Sequence, residues 1–124
     1  MIRRLRLFVP VFLLPLAACA GSGAPAAPAP AASQQTFVGV ISESDCAEDH
    51  AAMLRTGTMG KTDRECILKC VRMGAAFGLV DADRKTFYLL DDQMKPRPFA
   101  GRRVRVTGRL DGDTIYVAGI EAAD

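Results

Sequence analysis

An Ala- and Pro-rich tract near the start of the chain limits how much of it can fold. Residues 20–35 read AGSGAPAAPAPAASQQ, with no large side chain and no apolar periodicity. Such a tract buries too little surface to offset the entropy lost on ordering, and its prolines favour extended polyproline II segments. We therefore expect a spacer there and one small domain over residues 36–124. At that size a disulfide or a metal often supplements a modest core.

The residues before this tract have the layout of an export signal. Three arginines precede an apolar run that contains Pro10 and Pro15 and is shorter than the ~20 residues of a membrane span. The run leads into Leu16-Ala17-Ala18-Cys19, which resembles the lipobox of bacterial lipoproteins. The resemblance implies a signal peptide over residues 1–18, acylation of Cys19 with palmitate as an expected chain, and a lipidated tether over 19–35. An ordinary cleaved signal is the alternative.

The residue after Cys19 bears on location. It is Ala20. In the Gram-negative lipoproteins that this signal resembles, an Asp at this position usually means retention at the inner membrane. We therefore expect the outer membrane, with the domain facing the periplasm. The expected partner is the lipid membrane, through acylated Cys19.

Net charge gives no support for a nucleic-acid partner. Three of the 16 Lys and Arg residues lie in the signal, so 13 remain beside 14 Asp and Glu. A nearly neutral domain exerts no large electrostatic pull on nucleic acid or anionic lipid. The basic stripe of Arg103, Arg105 and Arg109 is more simply a solvated strand face, paired with Asp113 or Glu121.

Apolar patterning in the domain predicts five strands and two helices. Strands rich in β-branched and aromatic residues are expected at Thr36–Ser42, Phe77–Asp81, Thr86–Asp91, Arg102–Leu110 and Thr114–Glu121. Capping patterns predict helices over Cys46–Leu54 and Asp63–Met73, the second ended by Gly74. The expected fold is mainly β with a helical insertion (α+β), a five-stranded OB-like small barrel with both helices between strands 1 and 2.

Cysteine and histidine recur at a helical spacing. Cys46 and His50 are four residues apart, as are Cys66 and Cys70, so each pair would share a helix face. Three sulfurs and one imidazole suit zinc in a closed tetrahedral site. Copper(I) is a second candidate because it prefers soft ligands, and Met53, Met59 and Met73 lie nearby in sequence.

A structural disulfide is the competing interpretation of the same residues. With Cys19 acylated, three cysteines remain in an oxidising compartment, and Cys46 would pair better with Cys66 or Cys70 than those two with each other. One cysteine would then be left over. Thiol redox chemistry or axial haem ligation is a third possibility, although no Cys-x-x-Cys and no Cys-x-x-Cys-His is present.

A longer pattern carries a family resemblance. Residues 41–46 (ISESDC), His50, Cys66, Cys70 and Gly74-Ala75 resemble an uncharacterised family of small exported bacterial domains. Glu43 stands where that family has Asp, which keeps the charge but not the length. The resemblance implies an OB-like domain and no established activity.

The function predicted from the sequence is a membrane-anchored periplasmic lipoprotein. Its OB-like module is expected to be non-catalytic, with a disulfide or a metal at Cys46, His50, Cys66 and Cys70. A thiol redox protein or a copper or zinc metallochaperone is the alternative. Ser42 and Ser44 have only His50 as a possible base, which is weak support for a hydrolase.

Overall fold

A computed structural model describes residues 33–123 of the chain. The predicted signal peptide, the acylation site Cys19 and nearly all of the tether lie outside these residues. The described elements are β1 (Gln35–Glu43), α1 (Ala51–Arg55), α2 (Asp63–Met73), β2 (Phe77–Asp81), β3 (Thr86–Leu90), a 3-10 helix (Arg97–Phe99), β4 (Arg103–Asp111) and β5 (Thr114–Ala122).

The five strands form one sheet that closes on itself. Their order is β1-β2-β3-β5-β4, and β4 pairs back onto β1. Every pairing is antiparallel except that of β3 with β5, which is parallel. The prediction of a mainly β domain with five strands, and with both helices between the first two strands, is confirmed.

Alternation of buried and exposed residues along β4 shows which face of the sheet points to the core. Val104 and Val106 are fully buried in β4, whereas Arg103 and Arg105 point to solvent. The alternation continues to the buried Gly108, where the pairing with β5 has a register shift, and Leu110 near the end of the strand is only partly buried. The buried core inside the sheet comprises Phe37, Ile41, Ile67, Phe77, Leu79, Tyr88, Leu90, Ala100, Val104, Val106 and Ile115.

Helix α2 has the bounds that its capping pattern predicts. The Thr62 side chain accepts a hydrogen bond from the backbone N–H of Glu65 at 3.2 Å, as at a helix N-cap. Gly74 follows the helix with φ 119°, a left-handed conformation that glycine adopts without strain. The buried face of α2 carries Ile67, which reaches the core of the sheet.

The predicted helix over Cys46–Leu54 is wrong. The residues after β1 form turns, and α1 spans only Ala51–Arg55 with His50 as its N-cap. Local hydrogen bonding is the reason. The Glu43 carboxylate accepts the backbone N–H groups of Asp45 and Cys46, and Ala47 has φ 47°, which interrupts a right-handed helix. Cys46 and His50 therefore do not share a helix face.

The connection between β3 and β4 contains one short helical turn. It is the 3-10 helix Arg97–Phe99, preceded by Pro96. Within residues 33–123, no helix is both long enough and apolar enough to cross a bilayer.

Candidate metal centre

Three thiols meet where α2 packs over the end of β1. Cys46 lies in the turn after β1, and Cys66 and Cys70 lie on the buried face of α2. Their three Sγ atoms are all within 4.8 Å of one another, and all three are free thiols. Cys66 and Cys70 are 0% and 1% exposed, while Cys46 is half-buried. The sequence analysis expected these three sulfurs to converge together with His50, which the structure does not include in this group.

Helix geometry places two of the sulfurs. A spacing of four residues puts Cys66 and Cys70 on the same face, one turn apart. Ile67 anchors that stretch of α2 in the core of the sheet, so the two cysteines face the turn after β1. Met59, which is 6% exposed, packs against both of them, together with the partly buried Leu54 and Ala75.

A buried carboxylate lies beside this cluster. Glu43 is 0% exposed at the end of β1, and its oxygens accept the backbone N–H of Asp45 at 2.6 Å and that of Cys46 at 3.2 Å. Its Oε1 is also 3.4 Å from Nε2 of His50. These contacts fold the turn that carries Cys46, so Glu43 positions one thiol of the cluster.

His50 belongs to a second group of possible ligands, which shares Cys46 with the group of three sulfurs. Its ligand atom groups with those of Glu43 and Cys46, all within 4.8 Å, and among residues 33–123 the group of three sulfurs does not include it. The four predicted residues are therefore arranged as two overlapping groups that share Cys46. His50 is 6% exposed.

The surroundings of His50 do not form a catalytic triad. Nε2 is 3.4 Å from the Ser42 hydroxyl oxygen and 3.4 Å from Glu43, so both partners contact the same nitrogen. In a triad the nucleophile and the acid contact opposite nitrogens of the imidazole. The Ser42 hydroxyl itself donates to the Ala47 carbonyl. This geometry does not support Ser42 as an activated nucleophile.

Burial and negative charge keep the thiols protonated in the absence of a cation. Burial, followed by the charge of Glu43, raises the pKa of Cys46 to about 11 and that of Cys70 to about 11. Burial is also the first cause of the raised pKa of Cys66, followed by Cys46. Few thiolates are then present near neutral pH, which does not favour a redox nucleophile. A bound metal cation favours deprotonation of these thiols, because cysteine binds metals as the thiolate.

The spacing of the sulfurs suits a tetrahedral thiophilic ion. With Zn–S bonds of about 2.3 Å, tetrahedral geometry separates two sulfur ligands by about 3.8 Å, and the three sulfurs of the cluster all lie within 4.8 Å of one another. A disulfide requires two sulfurs at about 2.05 Å and would use only two of the three. The convergence of all three sulfurs is compatible with one metal ion bound by all of them or with a disulfide between two of them.

Glu43 was not predicted as a site residue, although the sequence contains a signal for it. Strand side chains alternate between the two faces of a sheet. Phe37 and Ile41 are inward-facing, and the same alternation continues to Glu43. A carboxylate at an inward position of a strand is costly unless it is paired, and it should therefore be considered part of a site.

A cavity of about 290 Å³ opens next to His50. Its lining includes Ser42, Glu48, His50, Asp63 and Ile67. Residues from the turn after β1 and from the start of α2 both line this cavity, which gives solvent access to the site beside His50.

The other candidate features have simple structural roles. Arg105 pairs with Glu121 at 2.9 Å, as predicted, whereas Arg109 pairs with Asp111 at 3.3 Å and not with Asp113. Asp81 accepts backbone N–H groups within the β2–β3 turn, as expected for a turn acid.

Comparison with known proteins gives a partial family match. The model of a family described as "Protein of unknown function (DUF5818)" matches residues 71–123, from the end of α2 through β5. The matched part begins directly after Cys70, so it contains none of the three clustered thiols. No curated protein and no solved structure matches the chain significantly.

Proposed function

We propose that this chain is a non-catalytic, metal-binding lipoprotein of the outer membrane. Acylated Cys19 anchors it to the lipid, residues 19–35 form the tether, and the domain faces the periplasm. Cys46, Cys66 and Cys70 bind one zinc ion as thiolates, and their protons pass to solvent. The observation that carries the proposal is the mutual approach of the three sulfurs to within 4.8 Å.

The fold assignment within this proposal is an OB-type barrel. It is supported by the strand order β1-β2-β3-β5-β4 and by the closure of β4 onto β1. The OB fold is a five-stranded, partly open Greek-key barrel that commonly serves as a binding module. A binding role also agrees with the arrangement of Ser42 and Glu43 around one imidazole nitrogen.

Location and anchoring rest on the sequence. The basic start, the short apolar run and Leu16-Ala17-Ala18-Cys19 support export and acylation. In the periplasm, thiols are exposed to oxidation. Zinc bound to all three cysteines accounts for an odd number of thiols in that compartment, which a single disulfide does not.

Metal content and thiol state together test the proposal. The full chain is expressed with its own signal, and the protein from the membrane fraction is analysed for metals while its thiols are counted after denaturation. We expect bound zinc and three free thiols besides acylated Cys19. The Cys66→Ser and Cys70→Ser variants should bind zinc more weakly, whereas Cys19→Ser, the matched control, should lose membrane association and keep its zinc. Metal-free protein with two of the three thiols joined would refute the proposal.

A copper(I) carrier is the second candidate, and Met59 is the observation that favours it. It forms one buried apolar cluster with Cys66 and Cys70. Thioether and thiolate are the soft ligands that copper(I) prefers. If Met59 is a ligand, Met59→Leu should reduce retention of copper(I) and leave zinc content unchanged. Equal retention of copper(I) by Met59→Leu and the unsubstituted chain would exclude this role for Met59.

A further inference from the structure

We propose that Glu43, Cys46 and His50 bind a second divalent ion, and that the Cys46 thiolate bridges it to the ion held by the three sulfurs. This inference rests on the proposed function, because the first ion is the one bound by Cys46, Cys66 and Cys70. The two ligand groups share Cys46 and no other residue. A thiolate sulfur has enough lone pairs to bind two ions at once.

The distances in the second group fit a small ion. Oε1 of Glu43 and Nε2 of His50 are 3.4 Å apart. The Cys46 sulfur lies within 4.8 Å of a carboxylate oxygen of Glu43 and of a ring nitrogen of His50. Oxygen and nitrogen ligands at about 2.0–2.1 Å from a tetrahedral zinc ion are separated by about 3.3 Å. The carboxylate and the imidazole are therefore already at ligand spacing.

One ion bound by the three sulfurs would not also bind His50 in its present position. For His50 to join Cys66 and Cys70 around one ion, its ring must move away from Glu43 and Ser42. That movement would leave the fully buried Glu43 carboxylate without its imidazole partner. Removing the partner of a buried carboxylate is costly, so the existing contacts favour a separate ion bound by Glu43, Cys46 and His50.

Charge balance also favours two ions. Three thiolates and the Glu43 carboxylate carry four negative charges, and the carboxylate, Cys66 and Cys70 are almost completely buried. One zinc ion leaves two of these charges uncompensated, whereas two zinc ions neutralise all four with a neutral imidazole. Buried charge is strongly unfavourable unless it is compensated.

The cavity beside His50 completes the coordination of the second ion. Its volume of about 290 Å³ exceeds what one water molecule needs, and Ser42, Glu48 and His50 lie along it. Glu43, Cys46 and His50 supply three ligands, so solvent from this cavity fills the fourth position. A fourth ligand from solvent is typical of zinc sites that remain open to small molecules.

Metal stoichiometry tests the second site. Metal-free full-length protein is titrated with Zn²⁺, and bound ions are counted by native mass spectrometry. We expect two ions per chain, one ion in His50→Ala and in Glu43→Gln, and two in Glu48→Gln, which alters an exposed acid beside the cavity. Far-UV circular dichroism of each variant verifies that it is folded, and His50→Ala serves as the test if Glu43→Gln does not fold.

The bridge itself is tested with Co²⁺ in place of Zn²⁺. Two Co²⁺ ions joined by one thiolate are magnetically coupled, so the electron paramagnetic resonance signal per cobalt should fall when the second equivalent binds. His50→Ala should bind one equivalent and keep the full signal of an isolated ion. Two uncoupled ions would overturn the bridging role of Cys46.

The outcomes separate this inference from the proposed function. One zinc ion in the unsubstituted chain, unchanged in His50→Ala and Glu43→Gln, would overturn the second site and leave the three-sulfur site intact. One zinc ion that is lost in His50→Ala would also overturn it, by making His50 a ligand of the first ion. No bound zinc and a disulfide would overturn the proposed function.

Discussion

Replacement of Ile67 by alanine should reveal how strongly the core holds the helix that carries two of the thiols. Ile67 is 1% exposed and contacts the core of the closed sheet, while Cys66 and Cys70 flank it on the same helix. Truncation of a buried isoleucine to alanine costs about 2–5 kcal/mol, because transfer free energy is lost and a cavity remains. A domain of this size has a stability on the order of 4–13 kcal/mol, so the loss is a large fraction of it.

Urea unfolding of the metal-free protein measures this loss. With a slope of about 1.5 kcal/mol/M, a loss of about 3 kcal/mol lowers the midpoint by about 2 M. Arg72→Ala, on the exposed face of the same helix, should change stability by less than about 0.5 kcal/mol. Excess zinc should stabilise Ile67→Ala, because it binds only the folded state. A loss below about 1 kcal/mol for Ile67→Ala would refute the argument that Ile67 anchors α2 in the core.

Three further predictions, two from substitutions and one from a titration, test the fold. Gly39→Ala should destabilise the domain by about 1–3 kcal/mol or more in thermal unfolding, because the new Cβ would lie 2.2 Å from the Val80 carbonyl oxygen. Gly119→Ala is the control, since its Cβ meets nothing within 4 Å. Equal melting temperatures of the two variants would contradict this prediction. Thr62→Ala should lower the free energy of unfolding in urea by about 1 kcal/mol, because α2 loses its N-cap hydrogen bond. Thr62→Ser keeps a hydroxyl and should retain most of this stability; a loss as large as that of Thr62→Ala would argue against the cap. Hydrogen bonds from the Lys95 backbone, the Lys95 side chain and the Met94 backbone lower the pKa of Asp92 to about 2. Since its unfolded pKa is about 3.9, Asp92 should stabilise the fold above that pH and lose this contribution as the pH falls toward 2; NMR titration of its carboxyl near 4 would contradict the assignment.

Much of the fold was predictable because its signals are local. The strand runs, the Asp63–Met73 helix and the turn after Asp81 each follow from residues that are adjacent in the chain. For α2, Thr62 and Gly74 mark both ends, and the structure places the caps at those residues. The approach of Cys66 and Cys70 then follows from helix geometry alone.

The region between β1 and α1 was mispredicted because its conformation depends on a buried side chain. Asp45 and Glu48 have the spacing of a capping box, which predicted a helix. Glu43 instead takes the backbone N–H groups of Asp45 and Cys46. Burial of Glu43 results from closure of the sheet and the packing of the segment that carries His50, and these long-range contacts cannot be derived from neighbouring residues. The same error misplaced His50 relative to the three sulfurs.

Zinc-edge X-ray absorption of the zinc-loaded full-length protein tests the central claim most directly. The account predicts sulfur scatterers about 2.3 Å from zinc. In a Cys66→Ser, Cys70→Ser double variant, the sulfur signal should fall to the contribution of Cys46 alone. A zinc shell made only of oxygen and nitrogen, unchanged in the double variant, would contradict the claim that Cys46, Cys66 and Cys70 bind one ion.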